Sequence, residues 1–486
     1  MKPVLLAIAA ALVTAGCTPT QTLPPPALPP SYFSAGPYEP QDDAALANWW
    51  AGFGDTDLTR LIQTGLERNH DVRLAILRLD TARAQLRTTA ANAFPTLDAP
   101  GQASRQWIDT DVGDTAVGEA LGLGDRIRVQ TWELALQASW ELDLFGATRA
   151  RIRGAEEQAR AAQAQIMATR LGVASTIAQG YIQLRSLQAQ RDELRTATEI
   201  AGTLAHIAQR RFEIGEVTRL DVESTVAEVA ALEAQLADVE AGVREAGFAL
   251  DTLVDMPPGS VERSVGGKPI PRYDGDVAIG QPVDLLRRRP DIIASVAQLD
   301  SAEQLAVAAR RDLFPSLTVQ AALGRSGFAL DGNSSASNFG RLGATFNLPF
   351  LDFMRRGAAI DLADVEQQSA YVGLRQALAN ALEEVERAVV RQEGSQRRAA
   401  ALSRSLDHRE RAHRLADRSY QLGEANLADV LDAQRQVIEA RQQTVQSRSD
   451  LAVAQVALFV ALGGGWQPSP EAPEGRRGAA DSASLD

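Results

Sequence analysis

Two matching groups of carboxylates are the residues of this 486-residue chain whose types and spacing are best suited to chemistry. The segments RRFEIGEVTRLDV, from Arg210, and RSYQLGEANLADV, from Arg418, share the pattern Arg-x-aromatic-x-Ile/Leu-Gly-Glu, followed after four further residues by Asp-Val. The second segment adds Asp432 three residues after Asp429, which makes the two carboxylates neighbours on one helix face. If several copies converged there, these carboxylates would attract cations and set a constriction. The spacing alone favours a simpler role, in which Asp429, like Asp221, caps the start of a helix.

Other kinds of chemistry have little support in the sequence. The four histidines, His70, His206, His408 and His413, lie apart from any carboxylate or cysteine cluster, so we expect neither a metal site nor a cofactor. No nucleophile with its base and orienting group forms a known motif, and no phosphate-binding loop is present, so we do not expect an enzyme. The net charge of -13 gives no support to a nucleic-acid surface.

The N-terminal segment MKPVLLAIAAALVTAGC predicts export from the cytoplasm. Lys2 precedes an apolar run and small residues that end at Cys17, which is typical of a secretory signal over residues 1–16. The ending VTAGC resembles the lipobox of bacterial lipoproteins, which implies that Cys17 is lipidated and anchored to the outer membrane. The alternative is a cysteine that only ends the signal. We interpret residues 17–40 as a proline-rich, lipid-anchored spacer and residues 466–486 as a disordered tail.

The rest of the chain reads as a tandem duplication. The segment from Asp71 aligns with the segment from Asp291 without a gap, and Phe94-Pro95 then matches Phe314-Pro315. We therefore expect a first repeat over residues 41–265 and a second over residues 266–465. Each repeat should contain a helix, two strands and a long helical hairpin.

Alternating apolar and polar residues predict the strands. The alternation is clearest over residues 132–142, 317–323 and 342–348, and we expect about four strands of roughly ten residues. The segment GFALDGNSSASNFG should connect the last two. Four strands with an outward apolar face leave two open edges, and a barrel shared by about three copies would close them. An ordinary soluble sheet packed on helices is the alternative.

Two proline-free runs predict unusually long helices. They extend from Gly146 to Arg211 and from Gly357 to Arg418, about 90 Å each at 1.5 Å per residue. The return helix of the first hairpin carries an apolar seam at Val222, Val226, Val229, Leu232, Leu236, Val239 and Val243. Its counterpart is more polar, at Val430, Gln434, Val437, Ala440, Thr444, Ser447 and Leu451, which predicts packing nearer to water. Gly215 and Gly423 should end the outgoing helices with a positive φ.

Several of these segments resemble one known family. LLRRRPDIIASVAQLDSAEQLAVAARRDLFPSL from Leu285, ANWWAGFGDTDL, WELDLFG and the paired tip motifs are similar to the outer-membrane efflux proteins, the TolC-like channels of tripartite pumps, in particular their lipoprotein branch. The resemblance implies a mainly α fold with membrane β structure, in which a homotrimer forms a twelve-stranded β-barrel and a periplasmic α-barrel. It also implies passive export, with a periplasmic adaptor and an inner-membrane transporter as partners.

The resemblance also assigns roles to residues at the tips. The family's aperture motif maps onto Tyr420, Gly423, Asp429, Val430, Leu431, Asp432 and Ala433, which makes Asp429 and Asp432 the candidate pore constriction. Candidate contacts to the adaptor are Gly215, Glu216 and Leu220 at the first tip, with Tyr420, Gly423 and Glu424 at the second. Tyr420 either packs the tip, which we favour, or donates a closing hydrogen bond. Ala425 stands where some members have a tethering arginine, so we expect closure to be held either differently or more weakly here.

A different class of function stays open at this point. A lipid-anchored periplasmic adaptor or scaffold would also use long helical hairpins, but it would not need the duplicated amphipathic strands. The sequence does not identify the exported substrate.

Overall fold

The computed structural model describes residues 24, 27–34, 46–109, 126–275, 277–330, 333–349 and 352–466. The signal segment, Cys17, most of the spacer and the tail beyond Trp466 lie outside the described residues, so the interpretations made for them stay predictions. The bounds expected for the two repeats also stay predictions.

The described elements follow the same order in both halves of the chain. The first half contains α1 (Thr56–Arg68), α2 (His70–Ala91), β1 (Thr96–Asp98), β2 (Gly101–Asp109), β3 (Arg126–Leu142), α3 (Ala147–Glu213), α4 (Arg219–Leu253) and α5 (Ser260–Ser264). The second half contains α6 (Leu285–Arg288), α7 (Pro290–Arg311), β4 (Ser316–Leu330), β5 (Asn333–Asn347), α8 (Phe353–Gln421) and α9 (Leu427–Ala461). Short 3-10 helices precede α1 at Trp49–Phe53 and α6 at Pro282–Asp284. None of the described helices combines the length and apolar character needed to cross a bilayer.

The chain divides into two compact units, and each draws on both halves. One contains Pro24 and the described residues of Asp80–Arg160 and Val296–Gly373. The other contains the described residues of Pro25–Leu79 and Ala161–Ser295 and those from Leu374 to Trp466.

The first unit holds one antiparallel sheet in the order β1-β3-β4-β5, with β2 also paired to β3. β1 and β2 lie along the same edge of β3, so they act as one interrupted strand, and the four expected strands are confirmed. The strands are longer than expected, because β4 and β5 pair from Ser316↔Asn347 to Leu330↔Asn333 and take up most of the supposed connecting segment. Residues 331 and 332, between them, lie outside the described residues.

The expected alternation along the strands produces one exposed apolar face. Leu136 lies opposite Leu323, and Trp140 lies opposite Val319. Directly paired residues in an antiparallel sheet point to the same side, so the even-numbered residues of β3 continue onto β4. Among the large exposed apolar side chains of the chain are Trp132, Leu134, Leu136, Trp140, Leu323, Leu342 and Phe346, all on these strands.

Long helical hairpins run through the second unit. α3 has 67 residues and α8 has 69, and each is followed by a return helix of 35 residues, α4 or α9. These lengths confirm the helices expected from the proline-free runs.

The prediction for the more polar seam was wrong. Every one of its seven residues, from Val430 to Leu451, is buried, whereas Val226 of the apolar seam is 51% exposed. Thr444 and Ser447 can be buried because each hydroxyl donates to a carbonyl of its own helix, Ala440 O at 2.8 Å and Thr444 O at 2.9 Å. Small side chains also let neighbouring helices approach closely, so polarity at these positions does not indicate contact with water.

The contacts of Arg289 explain the role of the RRRPD segment at the start of the second half. Its guanidinium donates to Asp291 through two nitrogens, at 3.0 and 2.7 Å. It also donates to the carbonyl of Ala461 at 3.1 Å and lies 2.7 Å from a carboxylate oxygen of Glu384. One buried arginine thus joins the start of α7 to the end of α9 and to α8, and Pro290 suits the first helical position, where no N–H is needed.

Candidate functional site

The candidate site consists of the two hairpin tips, and both turn in the same way. Gly215 and Gly423 have φ values of 82° and 78°, in the left-handed region that favours glycine. At the first tip the amides of Gly215 and Glu216 donate to the carbonyls of Phe212 and Arg211, at 3.0 and 2.9 Å. At the second tip the amides of Gly423 and Glu424 donate to the carbonyls of Tyr420 and Ser419 at the same two distances. This pair of bonds is the Schellman motif, and it explains the repeated Gly-Glu of the sequence pattern.

The return helices also begin in the same way. Thr218 accepts a hydrogen bond from the amide of Asp221, whose carboxylate accepts from the amide of Thr218 in return, at 2.9 Å. Asn426 and Asp429 form the equivalent capping box, in which the Asp429 amide donates at 2.9 Å. The structure therefore gives both aspartates a capping role, which the spacing favoured. The constriction role of Asp429 remains a prediction.

Asp432 has no counterpart at the first tip, where Ser224 stands at the matching position. Its carboxylate is exposed and accepts one hydrogen bond from Gln436 at 2.7 Å, which leaves it outside the cap. Asp429 is also exposed. The second tip thus presents two carboxylates to its surroundings.

Tyr420 joins the two tips. Arg211 Nη1 donates to the Tyr420 hydroxyl at 2.8 Å, and the Arg211 guanidinium carbon lies 5.4 Å from the centre of the tyrosine ring. Arg211 also lies 3.9 Å from Glu216. Tyr420 therefore packs, as we favoured, and it also forms a hydrogen bond, in which it is the acceptor and not the donor that the alternative required. This contact links the hairpins at the tips of a chain that has Ala425 in place of the tethering arginine.

The candidate contact residues differ in exposure between the tips. At the first tip Leu220 is 73% exposed. The matching position at the second tip is Ala428, and the leucine there, Leu427, comes one residue earlier and is only 8% exposed. Arg219 pairs with Glu223 at 3.2 Å on the surface of the first tip. Gly215, Glu216, Gly423 and Glu424 are all exposed. The first tip therefore offers an apolar side chain flanked by charges, and the second offers carboxylates above a buried apolar layer.

Sequence reasoning missed the residues that fasten the hairpins further from the tips. Arg441 of α9 donates to Glu193 of α3 at 3.0 Å and to Glu410 of α8 at 2.9 Å. Burial disfavours the charged guanidinium, but its bonds to the two carboxylates outweigh this and raise the pKa of Arg441. Arg435 of α9 likewise donates to Glu228 of α4 at 2.8 Å. No motif indicates these pairs, since each joins positions that are distant in sequence.

Comparison with known proteins places this geometry in a family. The profile of the outer membrane efflux protein family matches residues 61–254 and 282–464, which contain both hairpins. The chain is 31% identical over 437 residues to the pyoverdine export outer membrane protein OpmQ of Pseudomonas aeruginosa, covering 90% of each chain. It is 29% identical over 475 residues to nodulation protein T of Rhizobium leguminosarum, covering 95% of this chain and 97% of that one.

The fold agrees with a solved channel. The structure of the outer-membrane channel OprN superimposes with a TM-score of 0.81 at 26% identity, covering 92% of this chain and all of that one. These likenesses decide between a channel and the adaptor or scaffold alternative, in favour of the channel. The chain therefore belongs to the outer membrane efflux protein family, and it is an outer-membrane channel of an efflux system.

Proposed function

We propose that three copies of this chain form one closed channel that releases solutes passively from the periplasm to the exterior. The observation that carries this proposal is the sheet. Among the described strands, β5 and the β1/β2 edge each pair on one side only, and the exposed face of the sheet is apolar. Open edges and an apolar face suit a lipid-embedded barrel closed by further copies, and three copies of the four-strand set supply twelve strands.

The second tips form the constriction of this channel. Three copies bring together the exposed carboxylates of Asp429 and Asp432 around one axis, six in all, where they favour cations and repel anions. The hydrogen bond from Arg211 to Tyr420 holds the two hairpins of each copy together when the mouth is closed. Opening requires this contact to break while the two helical caps persist.

The first tips receive a periplasmic adaptor, which couples the channel to an inner-membrane transporter. At the first tip, exposed Leu220 supplies apolar contact area and exposed Glu216 supplies charge beside Gly215, and Glu424 beside Gly423 offers the adaptor a further carboxylate at the second tip. Binding that favours separated tips would shift the population towards the open state. In this proposal the transporter supplies the energy for export, and the channel releases the solute passively.

The solute is set by those partners. OpmQ is named for the export of pyoverdine, and the chain is also 28% identical over 481 residues to the toluene efflux pump outer membrane protein TtgF of Pseudomonas putida; pyoverdine and toluene share little chemistry. A wide channel with one ring of carboxylates would pass both kinds of molecule, so we assign no single substrate to this chain.

Planar-bilayer recording from the purified full-length protein tests the proposal. Native mass spectrometry should first give a trimer, and that trimer should carry small cation-selective currents. A Tyr420→Phe variant, which lacks the hydroxyl that accepts from Arg211, should open more often. Correctly inserted trimers that carry no current, in the variant as in the wild type, would contradict the channel gate described here.

A further inference from the structure

The duplicated hairpins show which face of the chain meets a second copy, because one such interface already exists within the chain. Glu228 of α4 bonds to Arg435 of α9 at 2.8 Å, and these residues lie 13 and 12 positions past Gly215 and Gly423. Further along, Gln235 meets Gln442 at 3.5 Å, 20 and 19 positions past the same glycines. The hairpins therefore lie side by side with their tips level.

Each residue position in this interface has an equivalent position in the other repeat, 208 residues away in the sequence. A cavity at this interface is lined on α3 by Glu193 and Thr196, whose equivalents on α8 are Ala401 and Arg404. On α9 it is lined by Gln434 and Arg441, whose equivalents on α4 are Val226 and Glu233. In a ring, first and second hairpins would alternate. The second hairpin of one copy would then meet the first hairpin of the next copy, and these equivalent residues would lie at that interface.

The equivalent positions have no cover within one copy. Gln434 is 7% exposed, whereas its equivalent Val226 is 51% exposed. Leu194 is 1% exposed in the existing interface, and its equivalent Leu402 is only half-buried. A valine that is half exposed where its repeat partner is buried indicates a surface that another hairpin covers.

The charges on these two free faces are complementary. Within the chain, a cation on α9, Arg441, meets an anion on α3, Glu193. At the equivalent faces the signs are exchanged: α4 carries an anion, Glu233, and α8 carries a cation, Arg404. Arg404 lies one helical turn from the position that matches Glu193. Both side chains are exposed, and neither has an ion-pair or hydrogen-bond partner among the described residues.

The heights of the two residues also agree. Glu233 lies 18 positions past Gly215, and Arg404 lies 19 positions before Gly423. At 1.5 Å per residue, both stand about 27 to 29 Å from their tips. Rotation about an axis parallel to the helices changes no height, so a neighbouring copy in a ring presents its residue at the same level.

We propose that Glu233 of one copy pairs with Arg404 of the next copy, and that this pair fastens the helical seam between copies. The proposal rests on the ring assembly of the proposed function and adds its contacting faces and charged partners. Arg411 and Arg418 continue the α8 face at seven-residue intervals towards the tip, so the same face stays cationic where it approaches the mouth.

Charge reversal in the full-length protein tests the pair. We expect Glu233→Arg and Arg404→Glu each to accelerate subunit exchange of the purified trimer about tenfold or more, because each places like charges side by side. The double variant restores opposite charges and should exchange within about twofold of the wild type. Exchange is followed by native mass spectrometry of mixed isotopically labelled trimers.

Arg391→Glu is the matched control, since Arg391 is also exposed on α8 and has no partner among the described residues, but it lies on another face. Its exchange should equal that of the wild type. Far-UV circular dichroism checks that each variant keeps its helices, and the neutral Glu233→Gln and Arg404→Gln should show smaller effects of the same sign.

The outcomes separate the two proposals. If the single reversals exchange like the wild type, or the double variant exchanges as fast as the singles, the pair is overturned. If the reversals weaken binding of an adaptor and leave exchange unchanged, the face belongs to another protein and the pair is again overturned. A wild-type protein that never forms a trimer overturns the ring assembly itself.

Discussion

The first and second hairpin tips have the same backbone turn and helix cap, and they differ in the side chains at neighbouring positions. Each turns at a positive-φ glycine with two Schellman hydrogen bonds, and each starts its return helix with a capping box. The divergence lies at neighbouring positions, where Arg219 corresponds to the buried Leu427 and Ser224 corresponds to the exposed Asp432.

This comparison separates structure from function within one repeated motif. Gly215, Asp221 and their counterparts persist because the turn requires them, so they do not distinguish one tip from the other. Leu220 at the first tip, and Asp432 and Tyr420 at the second, are free to differ. We therefore assign to those positions the distinct tasks proposed for the tips, adaptor contact and constriction.

The largest effect should come from loosening the hairpins beneath the tips. Arg441→Met removes two partly exposed ion pairs at once, those with Glu193 and Glu410, and at up to about 1 kcal/mol each we expect a loss of about 2 kcal/mol in stability. Arg435→Met is the control, because Arg435 is the more exposed arginine and has a single carboxylate partner among the described residues, Glu228, so its loss should cost below about 1 kcal/mol. Thermal unfolding followed by circular dichroism measures both, and equal losses would contradict the special role of Arg441.

Alanine at either tip glycine should be the next most damaging change. Gly215→Ala and Gly423→Ala each force a Cβ into the left-handed region, which costs about 1 to 2 kcal/mol. Because the two turns are built alike, the losses should be equal within error. Hydrogen exchange of the tip amides measures the local opening free energy. A strongly unequal pair of losses would show that the tips do not share their backbone design.

Removal of the capping carboxylates should have the same effect on local stability at both tips, but a different effect on channel current. Asp221→Ala and Asp429→Ala should each cost about 1 kcal/mol in local stability, because each breaks one capping box. Only Asp429→Ala should also change channel currents. The same hydrogen-exchange measurement, combined with bilayer recording, distinguishes the two effects, and a current change at Asp221→Ala of equal size would count against the distinction.

The smallest effect should come from the aromatic residue of the motif. Tyr420→Phe loses the hydroxyl that accepts from Arg211, worth about 1 kcal/mol or less, while the ring and its contact with the guanidinium remain. The reverse change, Phe212→Tyr, adds a hydroxyl at the matching exposed position and should alter nothing. Open probability in bilayers compares the two, and equal responses would remove Tyr420 from the closing contact.

The sequence predicted whatever depends on local pattern. Proline-free runs gave the long helices, alternation gave the strands, and the repeated Gly and Asp gave the turns and caps. Each of these follows from rules that act within a few residues of the chain.

Contacts between residues that are distant in the sequence were not predicted. The polar seam at Thr444 and Ser447 is buried because each hydroxyl bonds within its own helix, and composition alone suggested the opposite. Arg441 and Arg289 join helices that are distant in sequence, and a single arginine gives no local sign of its partners. The Arg211–Tyr420 contact was half foreseen, since Tyr420 stood out in the motif whereas its partner did not.

The most direct test of distinct tasks for the two tips is the cation-to-anion permeability ratio of the trimer in planar bilayers. Asp429→Asn/Asp432→Asn should lower this ratio and change conductance, because asparagine keeps the capping hydrogen bond and removes only the charge that attracts cations. The matched first-tip variant, Asp221→Asn/Glu223→Gln, removes two carboxylates in the same way and should leave both quantities at wild-type values. Equal changes in the two variants, or no change in either, would contradict a constriction formed by the second tip.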